Sequence, residues 1–373
     1  MLPGGKWLNV RSGLGVIADA LNAGTAKIAF LGNSVSAQKE GYRLYLQQNI
    51  NNHFGHKFQF VNASLGGIGS LACAFLVDDF VLRHRPDICF VECTTADIGG
   101  ATPLSSIGPA IEGIICQLLS NNIKVCLIHL YRHKDDFLAS EEIIQLYEQV
   151  AEHYNIPSIN IYEAIARAAP GEEVIPEEIV YDGVHTTPGG AVLTAGLLFE
   201  AFVKLIQTND HVPTADIAPL HADAFRYTSI LAPTPGMLSF PEAGSESRYR
   251  NMIPYLQIGP GNEITFTPEN CEVAGLLVIA DSGSGVVTVN SQGVISNIQL
   301  FDEWCENERI QAIILNVIHK RGLPINISLG DISSGERGAN GAVNIHVKKA
   351  ESLKLIGFLL RHQGAAYLKQ RLW

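Results

Sequence analysis

Lys27-Ile28-Ala29-Phe30-Leu31-Gly32-Asn33-Ser34 is the stretch on which the reading of this chain turns. Apolar residues follow a lysine and stop at Gly-Asn, which is a strand-length run closed by turn formers. A helical pattern begins shortly afterwards, at residue 42. Ser34 is then expected at the carboxyl end of a strand, where open α/β sheets place their ligands. A helix start nearby offers backbone N–H groups to developing negative charge. Alone, Gly-Asn-Ser is an ordinary turn, so its meaning depends on the rest of the chain.

The alternation continues downstream. Apolar runs lie at 58–61 (FQFV), 87–92 (DICFVE), 123–130 (IKVCLIHL) and 158–161 (SINI), each bounded by Gly, Pro, Asn or Asp. Between and after them, helical spacing is found at 42–54, 71–83, 107–119, 141–153 and 188–206. Nearly continuous apolar strands alternating with helices predict a parallel sheet covered on both faces. The character then changes, because seven of the 17 prolines fall between Pro213 and Pro260. That density excludes regular helices and predicts a linker. From residue 262 the period is that of short strands separated by Gly, Asn, Asp and Ser: 263–267, 274–280, 285–290, 294–301, 311–318, 324–329, 342–347 and 353–360. They predict a jelly-roll-like β-sandwich. The expected organisation is an α/β domain over 1–207, a Pro-rich linker over 208–261 and an all-β domain over 262–373.

Bulk properties narrow the function. With 47% hydrophobic and 17% charged residues the chain can fill packed cores. The net charge of −11, unbroken by any Lys/Arg block, makes nucleic acid and anionic membrane surfaces poor partners. A neutral sugar or small ester remains compatible. The first 24 residues carry Lys6, Arg11 and Asp19 and no uninterrupted apolar stretch, and no run of about 18 apolar residues is present anywhere. A cytoplasmic protein without membrane insertion is the expectation. The seven cysteines form no CxxC pair and read as buried free thiols, not as a zinc site.

Two further loops carry chemistry. Asn62-Ala63-Ser64-Leu65-Gly66-Gly67-Ile68-Gly69-Ser70 follows the second strand, and its glycines permit close approach of backbone to a ligand. Tyr181-Asp182-Gly183-Val184-His185-Thr186-Thr187-Pro188 precedes the last helix of the α/β region. An Asp and a His three residues apart meet if Gly183 allows a tight turn, and the carboxylate then fixes the imidazole tautomer. Combined with Gly32-Asn33-Ser34, this pair points to a nucleophilic serine.

Over roughly residues 25–207 the chain resembles the SGNH/GDSL hydrolase family. The family's Gly-Asp-Ser looks like Gly32-Asn33-Ser34, its second-block oxyanion glycine matches Gly67, and its Asp-x-x-His matches Asp182-Gly183-Val184-His185. The resemblance implies a flavodoxin-like, three-layer α/β/α domain and a Ser34–His185–Asp182 triad. It also implies an oxyanion hole that includes the N–H groups of Ser34 and Gly67, and no metal or organic cofactor. The third block departs, since Cys93-Thr94-Thr95-Ala96-Asp97 carries Ala96 where the family has an asparagine that donates to the oxyanion. Losing one such donor costs about 10²–10³ in rate. A slower esterase, a donor from elsewhere (Thr94 or Thr95 among them) or a changed reaction would each account for it.

Ser36 is a competing hydroxyl, and Tyr131-Arg132-His133-Lys134 follows the fourth strand at the same sheet edge. Thr94, Thr95, Arg132 and His133 are candidate substrate contacts, and Tyr249, Tyr255 and Trp304 are candidate sugar-stacking surfaces. By analogy of architecture, an SGNH domain joined to a β-sandwich suggests an esterase removing O-acetyl groups from a sugar or polysaccharide. The alternatives are an O-acetyltransferase acting on a capsular or exopolysaccharide, and a non-catalytic carbohydrate-binding protein. Oligomeric state is not legible.

Overall fold

The computed structural model describes residues 7–133, 137–168, 176–208, 217–232, 237, 246–250, 253–259, 263–269, 271–281, 284–291, 293–300, 309–319, 322–330 and 353–362. The chain divides into two compact units, Met1–Arg226 and Tyr227–Trp373.

In the first unit the strands are β1 (Leu8–Asn9), β2 (Lys27–Gly32), β3 (Gln59–Asn62), β4 (Ile88–Glu92), β5 (Lys124–His129) and β6 (Ser158–Asn160). The helices are α1 (Ala18–Asn22), α2 (Ser34–Ala37), α3 (Tyr42–Phe54), α4 (Ser70–Phe80), α5 (Thr94–Ile98), α6 (Leu104–Ser120), α7 (Phe137–His153), α8 (Ile161–Ala168), α9 (Pro176–Ile179) and α10 (Pro188–Ile206). The sheet order is β1-β6-β5-β4-β2-β3. Strands β2 to β6 pair in parallel, and the unexpected two-residue β1 adds an antiparallel edge on β6.

Ile28, Phe30, Ile88, Phe90, Cys126 and Ile128 pack with residues of α1, α3, α8 and α10. The alternate positions Ala29, Leu31, Cys89, Val91, Val125 and Leu127 are buried as well, so both faces of the sheet are covered. Helix α10 has the length and apolarity of a membrane span. Its Ala195, Leu198, Ala201, Phe202 and Leu205 belong to this core.

The parallel strands, taken in chain order, run 2-1-3-4-5 across the sheet, which is the flavodoxin-like order. The chain leaves β2 toward β3 on one side and returns to β4 on the other. The crevice at that switch point opens at the carboxyl end of β2, next to Ser34.

The second unit contains β7 (Thr228–Leu231), β8 (Glu246–Arg250), β9 (Ile253–Ile258), β10 (Glu263–Phe266), β11 (Cys271–Ala280), β12 (Val286–Ser291), β13 (Val294–Gln299), β14 (Arg309–His319), β15 (Ile325–Gly330) and β16 (Leu353–His362). One antiparallel sheet runs β10-β15-β12-β13; the other runs β14-β11-β16-β9-β8, with β7 also on β16. Inward residues of both sheets, among them Ile264, Val278, Val287, Ile327, Leu355 and Phe358, form one core, which makes this unit a β-sandwich. The strand expected at 342–347 lies outside the described residues.

The segment 208–261 is not a linker throughout. Strands β7 to β9 belong to the sandwich, and the unit boundary falls at Arg226/Tyr227, not near 207 or 262. The prolines explain the difference. Pro233, Pro235 and Pro241 fall between β7 and β8, and only Pro254 sits inside a described strand. High proline density excludes helices but leaves room for short strands between prolines.

Candidate active site

Asn33 is the N-cap of α2 and Ser34 its first residue; the Asn33 side chain accepts from the Val35 N–H at 3.0 Å. Ser34 is half-buried at the head of the switch-point crevice. Its Oγ lies 2.9 Å from His185 Nε2. His185 Nδ1 lies 2.6 Å from Asp182 Oδ2. Three side chains from two sequence regions thus form one hydrogen-bonded line.

Local chemistry builds the Asp-His half. Gly183 adopts φ +80°, which turns the chain so that Asp182 Oδ1 accepts from the N–H groups of Val184 (3.0 Å) and His185 (2.7 Å). Partial burial alone would raise the Asp182 carboxyl. The His185 N–H and ring and the Val184 N–H outweigh that and hold it below the usual range. An anionic Asp182 is what keeps the imidazole proton on Nδ1 and leaves Nε2 free to accept from Ser34. The Tyr181 ring stacks over the His185 ring with centroids 5.9 Å apart.

The loop is tied from outside as well. The His133 N–H donates to Gly183 O at 2.8 Å, and Gln38 Nε2 donates to Thr186 O at 2.9 Å. Thr186 Oγ1 in turn donates to Gln38 Oε1 at 3.1 Å, so the end of α2 is linked to the His185 loop. No local pattern marked Gln38, because its partners lie about 150 residues away.

The second-block loop lies beside the serine. The Leu65 N–H donates to Gly32 O at 3.0 Å, and a side chain built on Gly66 would stand 3.8 Å from Ser34 Cβ. Gly67 follows with φ +80°. This loop is fastened to the third block by Asp97, whose Oδ1 accepts from the Ser70 N–H at 2.9 Å and whose Oδ2 accepts from Tyr147 Oη at 2.6 Å.

The third block itself does not match its expected role in substrate contact. Thr94 and Thr95 are fully buried. Thr94 Oγ1 is 2.9 Å from His129 Nδ1, and Thr95 Oγ1 donates to Glu92 Oε1 at 2.8 Å while accepting from Asn33 Nδ2 at 2.7 Å. Their hydroxyls are committed to the core beneath the site, and neither serves as a substrate contact. The two threonines open α5, which packs against α7.

Arg132 and His133 are brought to the site rim by the end of β5. One Arg132 guanidinium nitrogen donates to Thr95 O at 2.7 Å, near the start of α5. Burial lowers the Arg132 pKa, and the nearby Tyr162, Asp182 and Glu92 oppose that shift. His133 is exposed and contributes its backbone. Ser36 is buried, 2.7 Å from Tyr42 Oη and 3.3 Å from Glu92 Oε2, whereas the hydroxyl beside His185 Nε2 is that of Ser34. Tyr255 is buried in the sandwich and presents no stacking surface, while Trp304 lies outside the described residues. Among the described residues, no three His, Cys, Asp or Glu side chains converge as metal ligands would.

No family profile matches the chain, and no curated protein matches it. Solved structures do. A two-domain esterase (CEX) active on acetylated mannans, co-crystallised with mannopentaose, superposes with a TM-score of 0.73 at 14% identity, covering 96% of this chain and 100% of that one. A second structure of a two-domain esterase (CEX) active on acetylated mannans gives a TM-score of 0.72 at 17% identity over 96% and 100% of the two chains. The chain shares the two-domain fold of that esterase.

Proposed function

We propose that the protein is a serine-dependent carboxylic ester hydrolase that removes O-acetyl groups from a sugar or polysaccharide through an acyl-enzyme. The observation that carries this reading is the line Ser34 Oγ–His185 Nε2–Asp182, at 2.9 and 2.6 Å. His185 Nε2 takes the hydroxyl proton as Ser34 Oγ attacks the ester carbonyl carbon. Asp182 stabilises the imidazolium so formed. The N–H groups of Ser34 and Gly67 hold the tetrahedral oxyanion. On collapse the C–O bond to the sugar breaks, and His185 returns its proton to the departing oxygen. Water then attacks the acyl-enzyme, gives its proton to His185, and acetate leaves from a regenerated Ser34.

The acetylated-carbohydrate substrate is supported by the architecture. The esterase whose two domains this chain reproduces nearly end to end is active on acetylated mannans. The test is acetate release from acetylated manno-oligosaccharides, with and without acetyl-CoA, run beside Ser34→Ala. Acetate release by the wild type without acetyl-CoA, abolished in the variant, supports the esterase. Acetylation of a bare saccharide only when acetyl-CoA is present would convert the assignment to a transferase.

A further inference from the structure

Glu92 ends β4 directly under the nucleophile turn, and its side chain is fully buried. Its Oε1 accepts from the Thr95 N–H at 3.2 Å and from Thr95 Oγ1 at 2.8 Å. Thr95 Oγ1 accepts from Asn33 Nδ2 at 2.7 Å, and Asn33 Oδ1 accepts from the Val35 N–H at 3.0 Å. On the other side, Glu92 Oε2 lies 3.3 Å from Ser36 Oγ, which is 2.7 Å from Tyr42 Oη. Asn33, Ser36, Tyr42 and Thr95 are all buried. The carboxyl group therefore grips both flanks of Ser34: Asn33 before it, through Thr95, and Ser36 after it.

A buried carboxyl is an expensive way to fill a core. Leucine would fill this one without desolvating a polar group. What an apolar residue cannot do is fix the direction of Asn33 and Ser36, and through them the angle at which Ser34 leaves its strand. Burial pushes the Glu92 carboxyl up, and its hydrogen bonds to Thr95, Ser36 and Asn33 only partly offset this. An amide of the same shape is therefore a fair replacement, because it keeps an acceptor for Thr95 and a polar group toward Ser36.

We propose that Glu92 is a positioning residue for the nucleophile, acting through Thr95–Asn33 on one side and Ser36 on the other to aim Ser34 Oγ at His185. This rests on the assignment of Ser34 as nucleophile. An error of about 1 Å in a reacting atom costs on the order of 10² in rate, which sets the expected size of the effect.

The experiment measures the rate of Ser34 labelling by a fluorophosphonate, together with kcat and KM on one acetylated oligosaccharide, for Glu92→Leu, Glu92→Gln, Thr95→Val and the double variant Glu92→Leu/Thr95→Val. Glu92→Leu and Thr95→Val should each lower labelling and kcat by about 10- to 100-fold with KM within about twofold. The double variant should be no worse than Glu92→Leu, which already cuts the arm through Thr95. Glu92→Gln should keep most of the labelling rate. Thr95→Val leaves the carboxyl in place and serves if Glu92→Leu fails to fold. Labelling unchanged in a folded Glu92→Leu or Thr95→Val, or Glu92→Gln as slow as Glu92→Leu, overturns the proposal. Failure of the wild type to label at Ser34 at all would instead overturn the nucleophile assignment.

Discussion

Neutralising Glu148 should expose how much of the first unit's stability is held at one junction. Its Oε2 accepts from Arg11 Nη2 at 2.6 Å and from Asn9 Nδ2 at 2.9 Å, and its Oε1 lies 2.8 Å from Nε2 of the buried His129. Burial would raise the carboxyl, but His129, Arg11 and Ser158 outweigh it and bring it down to about 2 from 4.5. A folded pKa below the unfolded one means that this stabilisation is fully present above about pH 4.5. It fades as pH falls and is gone once pH has passed through about 2. At about 1.4 kcal/mol per pH unit, the depression corresponds to about 3 kcal/mol at neutral pH. The perturbation is Glu148→Gln. The assay is urea unfolding at a series of pH values, read by hydrogen exchange of β5 and β6 peptides so that the first unit alone is followed. The variant should be less stable by about 3 kcal/mol at pH 7, with the difference shrinking toward zero as pH falls below 4. A difference that does not change with pH, or one below about 0.5 kcal/mol at pH 7, would refute the electrostatic origin.

Gly183→Ala places a side chain at φ +80° and a Cβ 3.2 Å from His133 O, so it should cost roughly 1–2 kcal/mol of stability. Because it also moves Asp182 and His185 off line, kcat should drop at least about tenfold, as thermal melting and turnover on an acetylated sugar will show. Ala96→Asn adds a side-chain amide to the third block and should raise kcat, by up to about 10²-fold if the amide reaches the oxyanion. A drop with the fold intact would mean that the hole is organised around a different group. Gln38→Ala removes both links between α2 and Thr186 and should lower kcat with little change in KM; a rise in KM at constant kcat would place Gln38 on the substrate.

The parts of the site that were legible in the sequence are those in which local chemistry decides the geometry. Asp182 and His185 meet because a glycine between them takes a positive φ, and that can be read from four consecutive residues. Ser34 follows from an apolar run that stops at Gly-Asn. The strand pattern of the sandwich was legible for the same reason, since a period of two with turn formers needs no partner to be recognised.

What was not legible depends on partners distant in the chain. Thr94 and Thr95 are candidates by their hydroxyls alone; folding buries them against His129, Glu92 and Asn33, up to 62 residues away. Glu92 is the last residue of the run at 87–92, and no local pattern marks it. Its grip on Asn33 and Ser36 exists only once β2 and β4 lie side by side. Strands β8 and β9 were hidden by proline density, which argues against helix but says little about a hairpin between prolines. The β1 edge is two residues long, too short for any periodicity to mark it.

The most direct test of the central claim is the site of covalent labelling. The protein is treated with a fluorophosphonate at neutral pH and the adduct is located by peptide mass mapping, beside His185→Ala. The account predicts one adduct, on Ser34, formed at least about 10³-fold more slowly without the His185 imidazole. An adduct on Ser36 with Ser34 untouched, or no adduct on the folded protein, would contradict it.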